Sequence, residues 1–144
     1  MISLSLPEKQ LENSLASTLA SDGYNVIHQC VDDPTKFDDI RNCTTHDVFG
    51  IDIVAQRTGV LWVIEVKGET KGGTAAGHAT FMAGIGQILS RITVVSENIF
   101  YSLAVPNTDV FAPSVRKFRN SPVLQLLNLS IILIEEDESF RLIN

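Results

Sequence analysis

Two apolar segments joined by a very short connection constrain the fold of this chain most strongly. Residues 48–56 and 60–67 are rich in valine and isoleucine, and only Arg57, Thr58 and Gly59 lie between them. Both segments have the length and composition of β-strands. So short a connection predicts an antiparallel β-hairpin.

Helical and extended patterns alternate around this hairpin. A helix is predicted over residues 7–22, with Gly23 at its end, followed by a strand over 24–28 and a polar loop over 30–47. After the hairpin and a glycine-rich segment, which we expect to be a loop, come a helix over 79–93, a strand over 99–105, a helix over 113–127, a strand over 130–135 and a short strand over 140–143. Because a strand–helix–strand crossover favours parallel pairing, the sheet should be mixed, in a single α/β domain over residues 1–144.

Composition narrows the class of protein further. The 144 residues are 44% hydrophobic and 19% charged, typical of a soluble globular domain. No apolar run reaches the roughly 18 residues of a membrane span, and the first residues do not resemble a secretion signal. Cys30 and Cys43 are too few for a disulfide framework. We therefore expect a cytoplasmic protein without a membrane partner.

The net negative charge of the chain argues against nucleic-acid binding over a general surface. A formal net charge of −6 is unlike that of most proteins that hold DNA through its phosphates. A bound metal ion and a local basic patch can offset that repulsion. The charge therefore makes a general nucleic-acid-binding surface a poor expectation, while leaving a local site possible.

Three charged residues interrupt the apolar hairpin. Residues two apart in a strand share a face, so Glu65 and Lys67 should project together while Val66 points the other way. If the hairpin pairs simply, the Asp52 carboxylate lies beside that of Glu65. Alternatively, Asp52 is a strand-end turn residue, and Glu65 with Lys67 forms an exposed pair.

Two adjacent carboxylates indicate a divalent cation. Each raises the pKa of the other unless positive charge lies between them. Carboxylate oxygens suit Mg²⁺, for which Mn²⁺ is a possible substitute. Such an ion polarises a phosphoryl group and activates water, while Lys67 would orient the attacking water and stabilise developing negative charge.

With Asp52, Glu65-Val66-Lys67 and the order of elements along nearly the whole chain, the sequence resembles the PD-(D/E)xK nuclease superfamily. That superfamily includes restriction enzymes, archaeal Holliday-junction resolvases and Mrr-like endonucleases. The resemblance implies a restriction-endonuclease-like three-layer α/β/α sandwich with a central mixed sheet. It also implies Mg²⁺ ligands at Asp52, Glu65 and the Val66 carbonyl. The proline of the family motif is absent, since Ile51 precedes Asp52.

The resemblance extends to both long helices. Resolvase-like members carry a glutamate on the first helix, where Glu12 stands and Glu8 is the nearby competitor. The helix after the motif often carries a glutamine that faces the site, as Gln87 would. Arg91, one turn later, stands where many relatives have tyrosine and could bind a phosphate. Ordinary helix-surface roles remain the alternative for these residues.

Other polar residues give weaker signals. A dense basic cluster could form a phosphate-binding face or a solvated helix surface; it consists of Arg116, Lys117 and Arg119, with Lys71 and Arg91 as additions. Asp47 is an alternative acidic ligand, but five residues along a strand would separate it from Asp52 by about 16 Å. Three histidines lack metal-ligand spacing and are expected in core or surface positions: His28, His46 and His78.

Three functional hypotheses follow. The first is a Mg²⁺-dependent endonuclease acting on DNA, with a homodimer expected by analogy with resolvases and restriction enzymes. The second is a catalytically weak or inactive nuclease-fold module that serves as a subunit in a nucleic-acid-processing complex. In the third, the motif is coincidental and the chain is an interaction protein with an unrelated α/β fold.

Overall fold

A single mixed β-sheet organises the part of the chain that the computed structural model describes, residues 7–28, 51–69, 71–92 and 95–143. Within these ranges the sheet has six strands, which lie side by side in the order of the sequence. They are β1 (Asn25–His28), β2 (Ile53–Arg57), β3 (Val60–Val66), β4 (Ile99–Pro106), β5 (Leu129–Ile134) and β6 (Phe140–Ile143).

The pairing directions match the sequence pattern. β2 and β3 form the predicted antiparallel hairpin, in which Arg57 pairs with Val60. β3, β4 and β5 run parallel, because long connections with helices join them, and β1 and β6 pair antiparallel at the two edges. The predicted mixed sheet is confirmed.

Helices cover both faces of the sheet. The helices of the described residues are α1 (Glu8–Ser21), α2 (Gly73–Arg91), α3 (Ala112–Phe118) and α4 (Pro122–Leu126). The leucine stripe of α1, at 11, 15 and 19, packs on one face with Trp62 and Ile64. α2, α3 and α4 pack on the other face, around Phe81 and Tyr101. This is the expected three-layer α/β/α sandwich.

The second helix begins earlier than the sequence pattern predicts. α2 starts at Gly73, six residues before the predicted start at 79, so most of the glycine-rich segment is helical and not a loop. Gly77 explains the difference, because a Cβ built there would lie 2.6 Å from the backbone oxygen of Val110. At Gly77 this close packing outweighs the low helix propensity of glycine.

Two other predicted boundaries are wrong. The helix predicted over 113–127 is interrupted, because Arg119 is extended, Asn120 has a φ of +62°, and Pro122 opens the separate helix α4. β2 begins at Ile53, so Asp52 immediately precedes the strand. Residues 29–50, which hold the predicted polar loop and the first residues of the predicted hairpin strand, lie outside the described ranges.

None of the helices in the described ranges combines the length and the apolar character that crossing a membrane requires.

Two glycines of α2 allow a matched test of the packing argument. Gly77→Ala should lower the free energy of unfolding by about 1–3 kcal/mol, because the new methyl meets the backbone at Val110. Gly86→Ala should instead raise it by roughly 0.5–1 kcal/mol, since a Cβ there meets nothing within 4 Å and alanine favours the helix. Urea denaturation measures both. Equal effects of the two substitutions would contradict the close approach at Gly77.

Candidate active site

The carboxyl end of β3 brings an acid and an amine together under α2. Glu65 follows Val63 on the strand face that packs against α2, and only 4% of its surface is exposed. Lys67 lies on the same side, with its Nζ 3.9 Å from Glu65 Oε1. A Cβ built on Gly84 of α2 would lie 3.1 Å from Lys67 Cγ, so this glycine leaves room for the lysine stem.

Asp52 completes the group from the neighbouring chain segment. Its Oδ2 accepts a hydrogen bond of 2.8 Å from the Val66 N–H. The bond continues the hairpin beyond the last strand pair, Ile53 with Ile64, although Asp52 itself lies just before β2. The Asp52 and Glu65 carboxyl groups are close enough to share a hydrogen bond when one is protonated. The structure thus brings Asp52, Glu65 and Lys67 together.

The Val66 carbonyl points towards the same place. The Lys67 N–H donates to the Ala104 oxygen of β4 at 2.9 Å. In a planar trans peptide the carbonyl is directed opposite to the N–H that follows it. The Val66 oxygen therefore points away from β4, to the side where Asp52 lies.

Burial raises the pKa of both acids. Burial, and then the nearby Asp52, raise the pKa of Glu65 from 4.5 to about 8, against the opposing charges of Lys67 and Arg91. Burial also raises the pKa of Asp52, although the Val66 N–H stabilises its charged form. Without added positive charge, the pair therefore retains a proton near neutral pH.

The donor set fits a hard divalent cation. Glu65 Oε2 is buried and has no hydrogen-bond partner in the described part of the chain. Two carboxylates and a backbone carbonyl are ligands that Mg²⁺ accepts, with water completing its shell. No cluster of three or more His, Cys, Asp or Glu side chains suited to a metal occurs within the described ranges. The described residues therefore offer two carboxylates and one carbonyl to a cation, and water would have to supply its other ligands.

The first turns of α1 lie against this group. Glu12 is 3% exposed, whereas Glu8 is exposed. Burial is the largest cause that raises the pKa of each glutamate, and the charge of Asp52 contributes to both. Of the two candidates that the sequence left open, Glu12 is thus the buried one near Asp52. Lys9, which the sequence analysis missed, lies 3.5 Å from Glu12 through its Nζ.

Gly68 explains how α1 reaches the end of β3. A Cβ built on Gly68 would lie 2.8 Å from the backbone nitrogen of Glu8. Any larger residue directly after Lys67 would therefore displace the helix that carries Glu8 and Glu12. The glycine after the motif was visible in the sequence, but the segment it contacts was not.

The two predicted residues of α2 differ in their placement. Arg91 has a buried Nε with no hydrogen-bond partner among the described residues, and its charge lowers the pKa of Glu65. Gln87 is exposed, and its side chain makes no hydrogen bond within the described ranges. The structure therefore brings Arg91 to the site and leaves Gln87 outside its contacts.

The remaining predicted residues are dispersed. Lys71 is exposed just before α2, and the basic residues Arg116, Lys117 and Arg119 are exposed on and directly after α3. His78 Nδ1 and Ser114 Oγ are 2.8 Å apart, which links α2 to α3 and agrees with a structural role. Asp47, His46, the two cysteines and the side chain of His28 lie outside what the structure describes.

Comparison with known proteins identifies the fold. No family model and no curated protein matches the sequence. Among solved structures, an FdxN element excision controlling factor protein from Anabaena variabilis is 22% identical, with a TM-score of 0.56, over 94% of this chain and 99% of its own. An XisH family protein from Nostoc punctiforme is 18% identical, with a TM-score of 0.57, over 93% of this chain and 98% of its own. The chain shares the fold of these proteins over nearly its whole length.

The buried acid makes stability depend on pH. A neutral Glu65 stabilises the folded protein fully below about pH 4.5, and this contribution is lost as the pH rises through about 8. The free energy of unfolding of the metal-free protein should therefore fall between about pH 5 and pH 8, by at most about 1.4 kcal/mol per pH unit for one proton. Urea denaturation across this range measures the slope.

Glu65→Gln should flatten that slope, because the amide does not ionise. Glu97→Gln, at an exposed position, is the matched control and should leave the slope unchanged. A Glu65→Gln protein with the same pH dependence as the unsubstituted chain would show that Glu65 ionises normally.

Proposed function

We propose that this protein is a Mg²⁺-dependent endonuclease that hydrolyses phosphodiester bonds in DNA. The proposal is carried by one observation, the convergence of Asp52 and Glu65 on the amine of Lys67 at one strand end. Placing two acids together in a buried site is costly, and a bound cation removes that cost. A purely structural role would give such a group no advantage over apolar residues of similar size.

The metal contributes positive charge. Mg²⁺ held by Asp52, Glu65 and the Val66 carbonyl would polarise the phosphodiester and offset the charge that develops on it. The Val66 N–H holds the Asp52 carboxylate through Oδ2, so that the carboxylate is already oriented beside Glu65 before substrate binds. Such preorganisation avoids rearrangement during the reaction.

Lys67 serves the attacking water in this proposal. Its side chain is 16% exposed, so most of the stem is enclosed while the amine stays 3.9 Å from Glu65. From there the amine can orient a water molecule and stabilise negative charge on the phosphate. The Arg91 Nε–H, which has no hydrogen-bond partner among the described residues, would donate to a phosphate oxygen, and Glu12 adds a third acid near Asp52.

The structural neighbours support a role in DNA processing and also support the alternative. One of them is named as a controlling factor in excision of the FdxN element. Excision agrees with chemistry on nucleic acid. The words "controlling factor" favour the second candidate, a nuclease-fold module that acts as a subunit in a nucleic-acid-processing complex and has little or no activity alone.

Two further properties are proposed by analogy with small nucleases. A homodimer would supply more surface for duplex DNA than one domain of 144 residues has. A cytoplasmic location, and Mn²⁺ as a substitute for Mg²⁺, complete the proposal.

Cleavage of plasmid DNA tests the endonuclease directly. The purified chain should nick or linearise plasmid with Mg²⁺ or Mn²⁺ and should be inactive with EDTA. Glu65→Gln and Lys67→Ala should each lower the rate at least about 10²-fold, because each removes a group that acts in the transition state. Glu97→Gln, exposed and remote in sequence, should cleave at the unsubstituted rate.

Metal binding gives a readout that is independent of activity. Titration calorimetry with Mn²⁺ should show binding to the unsubstituted chain and to Lys67→Ala, and its loss in Glu65→Gln. Binding without cleavage of any DNA form would favour the inactive module. If the chain neither binds Mn²⁺ nor cleaves any DNA form, the endonuclease is rejected.

Gly84 should control the rate through the position of Lys67. In Gly84→Ala the new methyl would lie 2.6 Å from Leu103 Cδ1 and 3.1 Å from Lys67 Cγ, so both side chains must shift. Because displacement of a catalytic group by about 1 Å can cost up to about 10²-fold, kcat should fall clearly while KM changes little. Gly86→Ala, on the same helix with open space, is the control. Unchanged kcat in Gly84→Ala would show that Lys67 does not depend on this approach.

A further inference from the structure

An arginine-lined pocket lies three strands away from Lys67, at the same end of the sheet. Its volume is about 180 Å³, and it opens between the end of β4, α3 and β6. Arg116 lies on α3, Arg119 directly follows that helix, and Arg141 lies on β6; all three line the pocket. The sequence pattern gave no reason to associate Arg141 with the other two.

Arg141 is held in place by its neighbours. Its Nε donates to Glu135 Oε1 at 2.9 Å. Asn107 Nδ2 donates to both oxygens of the same carboxylate, at 3.0 and 2.9 Å, and its backbone N–H donates to the Ile134 oxygen at 2.8 Å. Among the described residues only Nε of the Arg141 guanidinium has a partner, so its terminal nitrogens can bind a ligand.

The charge of the pocket indicates the class of ligand. Arg116 and Arg119 form no ion pair with any residue that the structure describes, and the ion pair of Arg141 with Glu135 is the one that involves a pocket arginine within those ranges. The chain as a whole carries −6, which makes this local excess of positive charge unlike its general surface. Planar guanidinium groups match the oxygens of phosphate.

The sheet register aligns this pocket with the candidate active site. Lys67 follows Val66, which pairs with Ala104, so Lys67 lies beside Val105. Val105 pairs with Leu133, and Leu133 pairs with Arg141. Directly paired residues project from the same face. Three strand spacings of about 4.8 Å place Arg141 about 14 Å from Lys67 along this row.

We propose that the arginine pocket, Arg116, Arg119 and Arg141, binds the phosphodiester backbone of a nucleic acid at a phosphate distant from the one at Lys67. This inference rests on the proposed function, because it takes Lys67 to mark the phosphate at which cleavage occurs. A single phosphate cannot span about 14 Å, so one ligand that occupies both sites is an extended strand. The two sites together define the path of the strand across the carboxyl ends of β3, β4 and β5.

The salt dependence of DNA binding tests the pocket. Fluorescence anisotropy with a labelled duplex is measured in EDTA, so that binding is separated from cleavage. Each lost phosphate contact lowers the slope of log K against log salt by about 0.9. For the combined Arg116→Gln, Arg119→Gln and Arg141→Gln protein, the slope should fall by about 0.9, because the pocket binds one phosphate. Between 50 and 200 mM salt, the unsubstituted chain should lose about 3.5-fold more affinity than this variant.

Two controls separate charge from folding and from general surface effects. Replacing the same three arginines with lysine keeps the charges, so most of the slope should return. Arg57→Gln should not alter the slope, because Arg57 lies over the Tyr24 ring at 4.3 Å and donates to the Asp22 oxygen, on the hairpin turn near β1. Thermal melting confirms that each variant is folded.

The outcomes distinguish this inference from the proposed endonuclease. An unchanged slope in the triple glutamine variant, or no binding of DNA at low salt, overturns the pocket assignment. Cleavage of DNA together with an unchanged slope keeps the endonuclease and rejects the pocket. A reduced slope without any metal-dependent cleavage supports the pocket as a nucleic-acid site and rejects the endonuclease.

Discussion

The hydrogen bond from the Val66 N–H to Asp52 Oδ2 holds the candidate site together. It replaces the backbone pairing that β2 would otherwise supply, since the regular ladder ends at Ile53 with Ile64. The bond keeps the Asp52 carboxylate next to Glu65 despite their mutual repulsion. Without it, Asp52 could turn into solvent and relieve the repulsion, and the site would lose one of its two acids.

The fold followed from the sequence wherever the signal was local. The short connection predicted the hairpin, whose turn in the structure is Thr58 and Gly59, and the period of two in a strand predicted that Glu65 and Lys67 share one side. The features that the sequence did not reveal depend on distant segments. Gly77, Gly84 and Gly68 each approach residues that are distant in the sequence. For this reason the sequence pattern predicted the start of α2 six residues too late, and it did not predict that Gly84 makes room for Lys67.

The candidate site, too, was predictable where the sequence signal was local and not where it depended on distant segments. The acids and the amine could be predicted because they interrupt apolar strands, where burying a charged side chain costs free energy. The choice between Glu8 and Glu12 required the packing angle of α1, which buries Glu12. Arg141 could not be connected with Arg116, because that link depends on the antiparallel return of β6 beside β5. Gln87, which was suggested by resemblance, is exposed and makes no hydrogen bond within the described ranges, so its role stays a prediction.

The layered fold explains how an acidic chain can present a site for a polyanion. β3 supplies Glu65 and Lys67, while α1 and α2 bring Glu12 and Arg91 to its carboxyl end. Because parallel strands end at the same edge, the same edge also carries the arginine pocket. Opposite charges are therefore separated along one row of the sheet. Under the proposed function, the acids would bind a cation and the arginines a phosphate, so that a nucleic-acid strand would lie along that row even though the total charge is −6.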